Sequence, residues 1–174
     1  DLAVGYASRP AMIAGVQAGE IELALGVFPQ LPQQLHRETL FEETFMCALD
    51  PASLAGDALH LDAYLARPHV LVASGESGMA AEVDAALAQL GQARRIAVRL
   101  PHWTVAPDIL MGTDMILTVA RRALQGRAAH GLALHAPPFA IAPFRFETIR
   151  HHRTDGDAGI AWLRAAIAQA VAPG

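Results

Sequence analysis

The chain has 174 residues, 53% of them apolar and 17% charged, with a formal net charge of −4 at neutral pH. That mix excludes a disordered chain and supplies enough apolar material for one sizeable core or two small lobes. No Lys occurs and no Arg run could track a phosphate backbone, no apolar stretch nears the roughly 18 residues a bilayer crossing needs, and the single Cys47 excludes an internal disulfide. The lone cysteine fits a reducing compartment and no basic, apolar leader opens the chain, so a cytoplasmic location is the expectation.

In chain order, Leu2 to Tyr6 reads as a strand. Ser8-Arg9-Pro10 supplies the cap and first-turn proline of a helix carrying Met12, Ile13 and Val16, with Gly19 where that helix would stop. Ile21 to Leu25 is an apolar strand running into Gly26-Val27-Phe28-Pro29, a sequence that delivers backbone to the carboxyl edge of a sheet, where α/β folds bind small ligands. Gln30 to Arg37 reads as a polar, proline-broken loop, and Phe45 to Leu49 as a short apolar strand ended by Asp50-Pro51.

Leu61 to Leu65 predicts one or two helical turns stopped by Pro68, and His69 to Ala73 a buried strand. The glycine- and serine-rich turn from Ser74 to Gly78 opens a helix whose apolar face is Met79, Val83, Ala86, Leu87 and Leu90, ended by Gly91. Arg95 to Leu100 alternates as an edge strand would. Pro101-His102-Trp103-Thr104 leads into a short helix in which Thr104 is placed to cap and Pro107 sits in the tolerated first turn.

Met115 to Val119 predicts another buried strand, Ala120 to Ala129 a basic helix and Leu132 to Leu134 a short strand, before the Pro137-Pro138 break. Phe144 to Ile149 is the last strand. Asp155-Gly156-Asp157 is a turn with capping chemistry, and the closing helix stripes Ile160, Leu163, Ile167 and Val171 along one face. The alternation of strand and helix implies a mostly parallel sheet covered by helices. The expected division is two lobes, one from residues 1–42 and 136–174, the other from residues 43–135.

Several strings, taken together and in order, resemble the effector-binding domain of LysR-type transcriptional regulators: Gly19 to Gly26, Leu40 to Cys47, Arg67 to Val72, Pro101-His102-Trp103, Gly112 to Thr118, and the end of the chain with His151, Arg153 and Trp162-Leu163-Arg164. The resemblance implies two Rossmann-like α/β lobes joined by two crossover segments, a periplasmic-binding-protein-like fold. It also implies a small effector in the cleft between lobes, assembly as a homodimer or homotetramer, and DNA contact only through a separate N-terminal helix-turn-helix domain. That domain is not in this chain. Leu2 to Tyr6 aligns with the family's second strand, so the family's first strand and helix, and part of its pocket, are also expected to be missing. The missing catalytic motifs and the lack of a bilayer-length apolar run set the expectation of no enzyme activity, cofactor or membrane association; a transporter's solute-binding protein on the same fold is the alternative, with an enzyme on this scaffold a distant third.

The expected ligand contacts fall at strand ends. Ser74 and Gly75, opening a helix, offer backbone N–H groups and a hydroxyl to a carboxylate. His102, Trp103 and Thr104 offer a stacking wall and hydrogen-bond partners to an aromatic group, and the resemblance places effector contacts at His102 and Trp103. Tyr6 and Ser8, with Gly26 and Phe28, are expected on the opposite wall, and Thr118 and Val119 at a comparable strand end of the second lobe. The bland alternative for each is packing or capping. His151-His152 invites a metal reading, but adjacent strand residues face opposite ways and no third ligand stands at zinc spacing. Cys47 reads as a buried small hydrophobe, and Asp155 with Asp157 as turn and cap residues. No nucleophile elbow, Walker loop or His-Glu-x-x-His string occurs.

Overall fold

The computed structural model describes residues 1–54, 56, 58–72, 80–101, 103–124 and 131–172, with only the backbone of Trp103. The chain separates into two compact units, residues 1–42 with 144–174 and residues 43–143, so the polypeptide passes between them twice. Residues 136–143, expected in the first lobe, group with the second. The reason is local: the strand just before them is paired in the second unit's sheet, and Phe139 packs edge-on against Tyr64 with ring centroids 5.1 Å apart.

The first unit is built on helix α1 (Arg9–Ala18) and strands β1 (Ala24–Gly26), β2 (Leu35–Glu43) and β8 (Phe144–His151), closed by helix α5 (Ala158–Val171). Its three-stranded sheet has the order β1-β8-β2, with β1 antiparallel to β8. The Ser8 hydroxyl caps α1 by accepting the Ala11 N–H, and Gly19 closes the helix at φ 84°, a left-handed conformation that favours glycine. The core beneath α1 is small: Val16, Ala24, Phe28, Leu35 and Ile149, flanked by Met12, Ile13, Ile21 and Leu31. Asp157 caps α5, whose stripe Ile160, Leu163, Ile167 and Val171 is part-buried while Trp162 is exposed.

Two expectations fail in this unit. Leu2 to Tyr6 forms no strand, and Leu2, Val4 and Tyr6 are 68%, 88% and 73% exposed. Alternating apolar residues do not make a strand without a neighbour to complete the hydrogen-bond ladder. Conversely, β2 begins inside the predicted loop, because charged residues on its exposed face mask the buried Leu35 and Glu43 at its ends.

The second unit carries β3 (Phe45–Leu49), α2 (Leu61–Ala66), β4 (Pro68–Val72), α3 (Ala80–Gln89), β5 (Arg95–Leu100), α4 (Ala106–Leu110), β6 (Ile116–Ala120) and β7 (Ala133–His135). They form a five-stranded sheet of order β5-β4-β6-β3-β7. β4 runs parallel to β5 and β6, but β3 is antiparallel to both β6 and β7. The sheet is therefore mixed, not mostly parallel: chain direction leaves no trace in hydrophobic period. Buried strands β3, β4 and β6 are almost wholly apolar, as strands covered on both faces must be. β5, at the sheet's border, leaves Arg95, Ala97 and Arg99 exposed, as its alternation predicted. The expected basic helix after β6 begins as a 3-10 helix, Arg121–Leu124; its remainder lies outside the described residues.

One end of this sheet is held by polar contacts. The buried Arg67 guanidinium, just before β4, donates to Ser53 O at 2.6 Å, Ser53 Oγ at 2.9 Å and Asp114 O at 3.0 Å. Asp50, just after β3, accepts from Ala52 N–H at 2.8 Å and Gly112 N–H at 2.5 Å. The amino ends of β4 and β6 are thus fastened to the end of β3, which leaves the carboxyl ends of the parallel strands at the other edge.

Candidate functional site

At that other edge the parallel strands of the second unit end. Val72 and Leu100, the last residues of β4 and β5, are register partners, and β6, parallel to β4, ends at Ala120 opposite Phe45. Three strand exits therefore leave one edge side by side. The exit after β4 carries Ser74 and Gly75, and that after β5 carries His102, Trp103 and Thr104. Ser74, Gly75 and His102 lie outside the described residues, and Trp103 opens a 3-10 turn (Trp103–Val105). Thr104 is exposed and does not cap α4: the 3-10 turn intervenes, the N-cap is Val105, and no side chain supplies the cap bond.

The exit after β6 is already satisfied by a residue the sequence reading passed over. Glu43 is 4% exposed; its carboxylate accepts from Thr44 N–H at 2.8 Å and Arg122 N–H at 3.1 Å, with Arg122 Nε at 4.0 Å. Arg121 N–H also donates to Thr44 O at 2.8 Å. The Glu43 carboxylate thus takes one of the backbone donors that open this turn and the Thr44 carbonyl takes the other, where α/β folds commonly seat a ligand's acid group. Nothing in the string Glu42-Glu43-Thr44 distinguishes this buried carboxylate from a solvated one.

Several expected contacts are instead structural. Thr118 points to the opposite sheet face from Leu117 and Val119, and its hydroxyl bonds the Tyr64 hydroxyl at 2.9 Å and the Cys47 thiol at 3.5 Å inside the core. Val119 belongs to the apolar cluster of Ala48, Val70, Leu100, Leu110 and Leu117. Phe28 is 1% exposed in the first unit's core. Gly26 serves that packing, since a Cβ there would meet Phe28 Cζ at 3.2 Å. Ser8 spends its hydroxyl as a cap, and Tyr6 stands 73% exposed. The alternation of strand side chains is legible in sequence; which face receives a helix is not.

Burial pushes the Cys47 thiol up to about 11 and the Tyr64 hydroxyl up to about 12, against the opposing effect of their bonds to Thr118. The thiol stays protonated at neutral pH and is no nucleophile. Removing the shared hydroxyl in Thr118→Val should cost about 1–3 kcal/mol by taking away a buried bond of Tyr64. Adding Tyr64→Phe should cost less than the sum of the two single changes, as read from a denaturant double-mutant cycle. Additive effects would show that the two hydroxyls do not interact.

His151 and His152 do not face opposite ways. β8 ends at His151 and a 3-10 helix (His152–Thr154) begins, so strand alternation stops and the two rings lie 4.3 Å apart. Among the described residues no group of three or more His, Cys, Asp or Glu is arranged to hold a metal ion, and no helix is long and apolar enough to cross a membrane.

Two α/β units linked by two chain crossings, the second with adjacent parallel strand ends at one edge of its own sheet, define a domain of the periplasmic-binding-protein-like class. The chain belongs to the LysR substrate binding domain family, which it matches over residues 1–172. It is 30% identical to the HTH-type transcriptional activator NagR of Ralstonia sp over 152 residues, covering 86% of this chain and 50% of that protein. It is also 30% identical to the HTH-type transcriptional regulator SyrM 1 of Sinorhizobium fredii, covering 89% of this chain and 46% of that one. The regulatory domain of MexT, a transcriptional activator in Pseudomonas aeruginosa, superposes with a TM-score of 0.80 at 30% identity, over 92% of this chain and 79% of that one. The regulator CbnR shares the fold at 16% identity, with a TM-score of 0.71. The chain spans about half the length of these curated relatives. The relatives are named as transcriptional regulators, which decides against the transporter alternative.

Proposed function

We propose that this chain is the effector-sensing domain of a longer transcriptional regulator, in which a small molecule bound by this domain changes the regulator's action on DNA. A helix-turn-helix domain outside this chain would carry the DNA contact, as the names of NagR and SyrM 1 indicate for those proteins. On this reading the protein works in the cytoplasm as a homodimer or homotetramer and needs neither catalysis nor a cofactor. The observation that carries it is the adjacency of the β4 and β5 exits at Val72 and Leu100.

The first exit opens a hydroxyl- and glycine-rich sequence, Ser74 and Gly75, suited to a carboxylate. The second brings His102, Trp103 and Thr104, suited to an aromatic ring. Within their own units, Ser8 caps α1 and Phe28 lies in the core of the first, and Thr118 and Val119 pack inside the second. Signalling requires that the effector bind one arrangement of the lobes better than another, a difference typically about 1–3 kcal/mol.

The test is a thermal-shift screen with small carboxylates and aromatic acids. A compound that binds only the folded chain raises Tm, by about 2.7 kcal/mol of stability at a hundredfold excess over Kd. Trp103→Ala should abolish that shift while moving the ligand-free Tm by no more than a few degrees. A shift that survives both Trp103→Ala and Thr104→Ala would place the ligand elsewhere, and a ligand-free collapse of Trp103→Ala would assign Trp103 to the core.

A further inference from the structure

The end of β8 carries an arrangement that effector binding does not explain. His151 is both the last residue of that strand and the cap of the 3-10 turn His152–Thr154: its Nδ1 accepts the Arg153 N–H at 3.1 Å. An Nδ1 that accepts carries no proton, so the neutral ring holds its proton on Nε2. The turn it caps aims Arg153 back at α1, where the guanidinium donates to Val16 O at 2.6 Å and Gln17 O at 2.8 Å, capping the last carbonyls beside Gly19.

The neighbouring groups differ in what protonation does to them. His152 lies against the His151 ring, and its Nδ1 donates to Gln34 O at 3.2 Å, a bond the charged ring keeps. His36, from β2, stands 3.7 Å from Asp155, which also takes Arg150 of β8 at 2.8 Å; charging His36 strengthens that pair. Of these three histidines, only His151 makes a bond that requires the neutral ring.

We propose that His151 is a proton-controlled latch: neutral, it caps the turn that aims Arg153 at the end of α1, and protonated, it releases both. A proton on Nδ1 sets two donors against each other and adds a positive charge beside Arg153, His152 and His36. The part-buried setting, followed by those same three charges, holds the His151 ring below the usual histidine value. The folded state therefore disfavours the charged form, and the latch is closed above the ordinary histidine range and opens as pH falls below it. The stretch released, Gly19 and Glu20, is bonded back to Gly15 O at 2.9 and 3.0 Å and leads directly into β1.

Amide hydrogen exchange on the intact chain at pH 7.5 and 5.5, corrected for the intrinsic pH dependence of exchange, tests this. Protection of the Arg153, Gly19 and Glu20 amides should fall at the lower pH, most at Arg153 and by roughly a few-fold, within the tenfold ceiling that one titrating histidine sets over this range. His151→Asn, which accepts the same bond and cannot titrate in this range, should remove the change, and His152→Asn should retain it. Unchanged protection in the parent chain, or a loss that persists in His151→Asn, would overturn the proposal.

Discussion

Lowering the pH from 7 to 5 should cost the second unit about 2 kcal/mol through His69 alone, and about 3 kcal/mol by pH 4. His69 is fully buried in β4; its Nε2 donates to Tyr64 O at 2.9 Å, its ring meets Tyr64 edge-on at 4.5 Å, and its Nδ1 has no partner among the described residues. Burial pushes the ring from 6.5 down to about 4, and the charges of Arg94 and Arg95 add to the effect, against the opposing pull of the Tyr64 carbonyl and Asp84. A depressed folded value means that the unfolded chain takes up the proton first. The contribution is whole above pH 6.5 and is lost as pH falls toward 4. His69→Phe keeps the ring and removes the titration, at a constant cost of about 1–3 kcal/mol from the abandoned Tyr64 carbonyl. Urea unfolding at pH 7 and pH 5 should therefore show a smaller decline for His69→Phe than for the parent. Equal declines would mean that His69 does not set the acid sensitivity.

Phe28→Ala should destabilise the first unit by about 3–5 kcal/mol. Phe28 is the largest side chain of that small buried cluster, and the surrounding Leu35, Ile149, Met12 and Ile21 relax only partly into the void it would leave. Phe28→Leu should recover most of the loss. Far-UV circular dichroism with denaturant titration reads the effect. The competing reading, a ring lining a ligand wall, expects nearly unchanged stability and weakened ligand binding; that result would remove Phe28 from the core.

Phe28 also shows where sequence stops informing. Its place after an apolar strand and a glycine marks a strand exit, and that much was legible. Whether the ring turns outward or folds under α1 depends on Met12 and Val16, far away in sequence. The apolar runs of β3, β4 and β6 announced themselves because strands buried on both faces cannot be polar. β2 was invisible for the opposite reason: its middle is half-exposed and charged, and its ends, Leu35 and Glu43, are buried by partners the string does not name.

The same limits apply at the site. Strand ends near residues 72 and 100 could be read from turn residues, but their adjacency is a property of register. Glu43 was missed because its role comes from Arg122, a distant residue whose N–H it accepts. Thr118 was misplaced by a single step of the pleat: the residue before it and the residue after it face the apolar cluster, whereas its own hydroxyl meets Tyr64 and Cys47.

The borders of the second unit's sheet have a consequence for behaviour at high concentration. β5 shows solvent two guanidinium groups, Arg95 and Arg99, on its outward-facing side, and β7 at the far border is three residues long. A foreign strand seeking to extend the sheet meets fixed positive charge on one flank and too short a template on the other. This unit is guarded against fibrillar stacking at both flanks, so concentrated samples that associate should do so through side-chain surfaces and without gaining β-structure.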